Sequence, residues 1–100
     1  MAIDVVVDDG VAVLSFNRPP ANAYDAAMLG ELTAAVHRVA EDATVRVAVL
    51  RSANPKFFCT GADITTLQNS NRAQFANFLT IAQESVDAIA RTPKLFIAAI

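Results

Sequence analysis

Hydrophobic and polar residues alternate at the start of this chain, and the period then lengthens. Ile3 to Asp8 and Val11 to Phe16 are β-rich runs separated by Asp9-Gly10. Asp-Gly between alternating hydrophobics predicts a hairpin, because a type I′ turn needs positive φ at both central residues. Asn17-Arg18-Pro19-Pro20 stops the second strand, since proline has no N–H for the ladder. From about Asp25 to Glu41, Leu29, Leu32, Val36 and Val39 fall on one stripe of a helix. Arg46 and Arg51 then enclose Val47-Ala48-Val49-Leu50, a short, continuously apolar run of the kind expected in a strand buried on both faces.

Ser52 to Lys56 is a loop, and Phe57-Phe58-Cys59 reads as a short strand leading into Gly61 and a helix start. Further on, Asn71 with Gln74 predicts a capping box for a second long helix. Phe75, Phe78, Leu79, Ala82, Val86 and Ile89 form its expected buried stripe, and Thr92-Pro93 ends it. Leu95 to Ile100 is continuously apolar again and reads as a central strand. The order ββ-α-β-(short β)-α-β predicts an α/β fold whose mainly parallel sheet is joined by crossover helices. A central strand is normally followed by a covering helix, so residues 1–100 are expected to be the N-terminal part of a single larger domain.

Composition sharpens this picture. Of 100 residues, 54% are hydrophobic and 18% charged, with a net charge of −2. That is apolar for one small free-standing domain and implies a subunit interface or further covering chain. The lysines and arginines are scattered, which argues against nucleic acid, and no apolar stretch is long enough to span a membrane. The alternating N-terminus reads as a strand and no signal peptide. A lone cysteine, Cys59, excludes an internal disulfide and fits a reducing compartment, so a cytoplasmic location is expected.

Side-chain chemistry is sparse. Gly10, Gly30 and Gly61 are the only glycines, so neither a dinucleotide fingerprint nor a phosphate-cradling loop can be written. One histidine and one cysteine make no zinc site, and no metal is expected. His37 lies about 120° from its helix's apolar stripe at 3.6 residues per turn, as a solvated histidine would. Cys59 beside Phe57 and Phe58 suits a small buried hydrophobe better than a nucleophile. Glu31, Glu41 and Glu84 read as solvated helix residues. What remains is the backbone of Phe57-Phe58-Cys59-Thr60-Gly61-Ala62-Asp63-Ile64. A helix start there would offer unpaired N–H groups to an anion or a developing oxyanion, and Gly61 would let a ligand approach the main chain. An ordinary strand-to-helix turn with a glycine corner accounts for these eight residues alone more simply.

Three stretches together resemble the N-terminal part of the enoyl-CoA hydratase/isomerase (crotonase) family. Val13-Leu14-Ser15-Phe16-Asn17-Arg18-Pro19-Pro20-Ala21-Asn22-Ala23 resembles its strand followed by "NRP…NA". Arg46-Val47-Ala48-Val49-Leu50 resembles its central "VR-VVL" strand, and FFCTGADI resembles its "AFCAGADI" motif. Ile97-Ala98-Ala99-Ile100 matches the start of its "P-IAAI-G". Thr60 departs from the family's usual alanine, and Leu95 stands where proline is common.

The resemblance implies an α/β, crotonase-like spiral of ββα units, of which this is the N-terminal part. It implies an acyl-CoA thioester as substrate, with coenzyme A part of that substrate and no separate cofactor. By the same resemblance the Ala62 N–H is an oxyanion-hole donor, and Thr60, Gly61, Ala62, Asp63, Ile64 and Thr65 meet the CoA. Asn22 and Ala23 match the loop approaching CoA from the other side, although Asn22 could instead cap the first long helix. Asp63 would also be favoured in a first helical turn by the dipole alone. The family's second oxyanion donor and its acid–base glutamates match nothing in residues 1–100, so this chain alone is expected to be inactive. The family forms trimers or dimers of trimers. A non-catalytic CoA-binding or interaction module with the same fold, and a generic α/β domain, are the competing readings.

Overall fold

The computed structural model describes residues 2–100. Strand β1 (Ile3–Asp8) and strand β2 (Val11–Phe16) pair antiparallel. Asp9 and Gly10 turn between them with φ of 49° and 80°, the positive pair that a type I′ turn demands. Helix α1 (Ala26–Glu41) crosses to strand β3 (Val47–Ser52), which lies parallel to β2. Helix α2 (Ile64–Gln68) and helix α3 (Arg72–Arg91) cross to strand β4 (Leu95–Ala98), parallel to β3. The sheet order is β1-β2-β3-β4. Two crossovers carried the same way along a sheet with the usual right-handed turn put their helices on one face.

The core sits between that face and α1. Ala12, Leu14 and Phe16 of β2, with Ala48 of β3, meet Met28, Leu32, Ala35, Val36 and Val39. The stripe predicted for α1 is buried throughout. Asp25 caps this helix, its carboxylate accepting the Met28 N–H. Lys94, from the turn before β4, closes the other end by donating to the carbonyls of Val39 and Asp42. The capping box of α3 forms as expected, with both Asn71 and Gln74 side chains bonded to backbone N–H groups.

Several expectations change. Phe57 to Cys59 forms no strand; the nearby pairing is a single parallel bridge between Tyr24 and Ala62. Strand β3 buries only Ala48 fully, and β4 lies last in the sheet formed by the described residues, with Leu95 62% and Ile97 46% exposed. Continuous apolarity suits strands covered on both faces, whereas the described helices cover one. On α3 the expected stripe is rotated: Phe75, Leu79 and Val86 are exposed, while Phe78 and Ser85 are buried. The reason is Ser85, whose hydroxyl meets the Leu29 carbonyl and the Thr33 hydroxyl and so draws α3 close to α1. Glu31 is no idle surface acid either, since its carboxylate accepts the N–H groups of Ala2 and Ile3. None of the helices among the described residues is long and apolar enough to cross a membrane.

Candidate functional site

Two loops lie side by side beyond the carboxyl ends of β2 and β3, the end of an open α/β sheet where ligands gather. One runs from Asn17 to Asp25; the other runs from Ala53 to Asp63. Backbone pairing joins them near their carboxyl ends, just before the helices that follow. The Tyr24 N–H donates to the Gly61 carbonyl at 2.9 Å, and the Asp63 N–H donates to the Tyr24 carbonyl at 2.8 Å. In a parallel bridge the middle residue's own N–H and C=O point the opposite way. The Ala62 N–H therefore faces away from Tyr24, and it has no hydrogen-bond partner among the described residues. Gly61 makes the bend possible with φ of 103°, a conformation side chains resist.

Asn22 fixes the loops from beneath. It is 1% exposed, with φ of 59°. Its side-chain carbonyl accepts the Arg18 N–H at 2.8 Å, and its NH₂ donates to Ser52 Oγ at 2.7 Å and to the Phe58 carbonyl at 3.0 Å. Ser52 Oγ in turn donates to the Phe57 carbonyl. Asn22 therefore does not cap α1, which is the task of Asp25. Its side chain faces the interior, and what it gives the surface is the placement of Ala23. The Thr60 hydroxyl adds another tie by donating to the Ala21 carbonyl at 3.2 Å.

Arg18 joins the loops from the outer side. Nη1 donates to the Ala23 carbonyl at 2.6 Å, and Nη2 meets Asp25 Oδ2 at 3.1 Å and Asp63 Oδ2 at 2.9 Å. Each aspartate caps a helix with its other oxygen: Asp25 Oδ1 accepts from Met28, and Asp63 Oδ1 accepts from Thr65 and Thr66. The Asp63 carboxyl is held below the usual carboxylate range, first by the Arg18 guanidinium and then by the Thr66 N–H. It is thus an anion at neutral pH and a poor proton donor. Sequence reasoning missed Arg18, although it is the single cation of its loop and each of the two loops ends on an aspartate.

Thr60, Ala62, Asp63, Ile64, Thr65 and Ala23 line one groove of about 450 Å³, together with Arg18, Pro19 and Pro20. Of the residues singled out from sequence, Gly61 and Asn22 shape this groove without lining it. Cys59 is half-buried and does not line the groove. His37 is exposed and lines a different groove, between α1 and α3. No cluster of metal-binding side chains occurs among the described residues. The arrangement can present a backbone N–H, backed by a rigid bend, to a negatively charged or polarised oxygen in the groove.

Residues 7–100 match the model of the enoyl-CoA hydratase/isomerase family. The chain belongs to that family. It is 35% identical over 100 residues to a Bacillus subtilis protein named "Probable enoyl-CoA hydratase", covering 99% of this chain and 38% of that one. It is 29% identical over 75 residues to the mitochondrial enoyl-CoA delta isomerase 1 of Rattus norvegicus, covering 75% of this chain and 26% of the relative. Among solved structures, the enoyl-CoA hydratase of Geobacillus kaustophilus superposes with a TM-score of 0.94 at 32% identity, covering 97% of this chain and 37% of that one. The fold is accordingly the crotonase fold. This enoyl-CoA hydratase/isomerase family chain spans about two-fifths of the length of the Bacillus and Geobacillus proteins.

Proposed function

We propose that the polypeptide carrying this chain transforms acyl-CoA thioesters by hydration or isomerisation, with the Ala62 N–H as one donor to the thioester oxygen. The observation that carries this reading is the Ala62 amide, turned away from Tyr24 and without a partner among the described residues, in a groove lined by residues of the family motif. Such reactions share a transition state in which charge builds on the thioester oxygen. A rigid backbone donor stabilises that charge more than it stabilises the ground state, and it needs no titratable side chain. Thr60, Asp63, Ile64, Thr65 and Ala23 then form the wall along which the CoA moiety runs. The aspartates beside Ala62 are occupied by Arg18 and by helix caps, so the reading assigns proton transfer to residues outside this chain. The chain by itself is expected to be inactive.

A trimer or dimer of trimers goes with this reading, and the exposed Phe75, Leu79, Val86 and Leu95 give it apolar surface to cover. The engagement of Asp25 and Asp63 also favours a second reading, a CoA-binding module without catalysis. The two separate on crotonyl-CoA hydration and enoyl-CoA isomerisation by the full-length polypeptide. Replacing the Ala62 N–H by an ester oxygen tests the assignment: it keeps the Asp63 N–H bond to the Tyr24 carbonyl but makes the Gly61 carbonyl a weaker acceptor for the Tyr24 N–H, so hydrogen exchange at Asp63 is read beside the rate to show that the bridge holds. A fall in kcat of about 10²–10³ is expected for a lost oxyanion donor. Unchanged rate and affinity would overturn the assignment.

A further inference from the structure

We propose that Arg18 is a positioning residue: its guanidinium clamps the Tyr24–Ala62 bridge in register and thereby fixes where the Ala62 N–H points. The proposal rests on the reading of Ala62 given above for its effect on turnover, but the clamp itself is read from geometry. The bridge consists of two backbone hydrogen bonds between loops, and among the described residues no neighbouring strand supports it. A lone pairing of this kind opens easily unless side chains hold its flanks. Arg18 holds both: Nη1 binds the Ala23 carbonyl immediately before Tyr24, and Nη2 binds the carboxylate of Asp63 immediately after Ala62. The same Nη2 reaches Asp25, immediately after Tyr24, so three of the four bridge-flanking residues converge on one side chain.

A planar guanidinium suits this task because its N–H groups diverge at fixed angles towards separate acceptors. A lysine ammonium at the same position could engage fewer of them in a fixed plane. Arg18 lines the groove, and an alternative use would be to bind CoA phosphate. Its charge is already met by two carboxylates at 3.1 and 2.9 Å, which leaves a neutral-to-acidic junction unsuited to an anion. The geometry favours a clamp.

The test compares wild type, Arg18→Lys, Arg18→Met and the Arg18→Met/Asp63→Asn double variant in the full-length polypeptide. Arg18→Met keeps the apolar stem and the backbone N–H that Asn22 accepts, and removes only the guanidinium. The Asp63 amide, which is bonded to Tyr24, reports bridge opening by hydrogen exchange; the Ala48 amide reports the core. Expected in Arg18→Met are at least tenfold faster exchange at Asp63, unchanged exchange at Ala48, and recovery of part of the protection in Arg18→Lys. The double variant should exchange no faster than Arg18→Met, since Asp63 stabilises the bridge through Arg18. Asp63 exchange that is unchanged, or that rises only together with Ala48, would overturn the clamp.

Kinetics separate the two layers. With the clamp and the Ala62 reading both correct, kcat for an acyl-CoA falls about tenfold while KM stays within about twofold, a loss of roughly 1.4 kcal/mol in transition-state stabilisation. Faster Asp63 exchange with unaltered kcat supports the clamp and overturns the role given to Ala62. If Asp63 exchange is unchanged and KM rises for acyl-CoA but not for acyl-pantetheine, which lacks the nucleotide phosphates, Arg18 is a phosphate ligand and the clamp is refuted.

Discussion

The ring of Tyr24 lies parallel to the ring of Phe78, with centroids 6.0 Å apart and planes inclined by 6°. Tyr24 belongs to the loop that pairs with Ala62, whereas Phe78 is the buried aromatic of α3. The stack therefore ties the second crossover to the candidate site, in a place where most apolar residues of α3 are exposed. Phe78→Ala should lower stability by about 3–5 kcal/mol, as expected for a large buried aromatic. Urea unfolding followed by circular dichroism measures it. A change below about 1 kcal/mol would mean that α3 is held chiefly by Ser85 and the β4 connection.

Asn22 should be more sensitive to its backbone angle than its polarity suggests. Asn22→Gly keeps access to φ of 59° but gives up the bonds to Arg18, Ser52 and Phe58. Stranding those groups should cost about 1–3 kcal/mol. Asn22→Ala loses the same bonds and adds the left-handed penalty, about 1–2 kcal/mol more. Thermal melts of the two variants side by side decide it, and equal melting temperatures would show that the loop relaxes to another backbone angle.

Gly61 and Gly30 should respond to alanine with opposite signs. An added Cβ meets nothing within 4 Å at either position, so packing does not separate them. Gly61 has φ of 103°, outside the range alanine accepts, and Gly61→Ala should destabilise by about 1–3 kcal/mol. Gly30 is exposed within α1, and Gly30→Ala should stabilise by about 1 kcal/mol through helix propensity. Differential scanning calorimetry on both variants checks the pair; a shared sign would refute the backbone argument.

Acid should weaken the junction at Arg18. The Asp63 carboxyl is held low by Arg18 and the Thr66 N–H, and that of Asp42 is held low by the hydroxyl and N–H of Thr44. A carboxyl lowered in the folded state binds its proton more readily once unfolded, so it stabilises the fold above the ordinary aspartate value near pH ~4. That contribution disappears as pH falls through the lowered folded values. Asp63→Asn can still cap α2 but cannot pair as an anion with Arg18. Its melting temperature should drop less than that of wild type between pH 6 and pH 3, with the remaining drop partly due to Asp42. Parallel curves for the two proteins would count against the ion pair as a stabilising contact.

Local features were legible in the sequence and distant ones were not. Asp9-Gly10 specifies its turn through its own backbone preferences, and Asn71 with Gln74 specifies a cap within one helical turn. The α1 stripe was readable because one dominant face packs on the sheet. On α3 the pattern misled, because the residue that packs most tightly against α1 is the polar Ser85. The motif around Gly61 was readable as a short local signature, and four of its residues line one groove. Its scaffold was hidden, since Arg18, Asp25 and Asp63 meet only when two loops from different strands are brought together. Asn22 was noticed, but its burial depends on the same encounter.

The side of Ala62 turned away from Tyr24 presents a main-chain amide, and the residue's own side chain is a single methyl group. Mutational surveys that shorten side chains one at a time will pass over such a donor, since alanine is already there. On the proposed reading, natural variation at this position would alter the bulk beside the acyl group while leaving the main-chain donor in place, so that substrate preference could drift without touching the electrostatics.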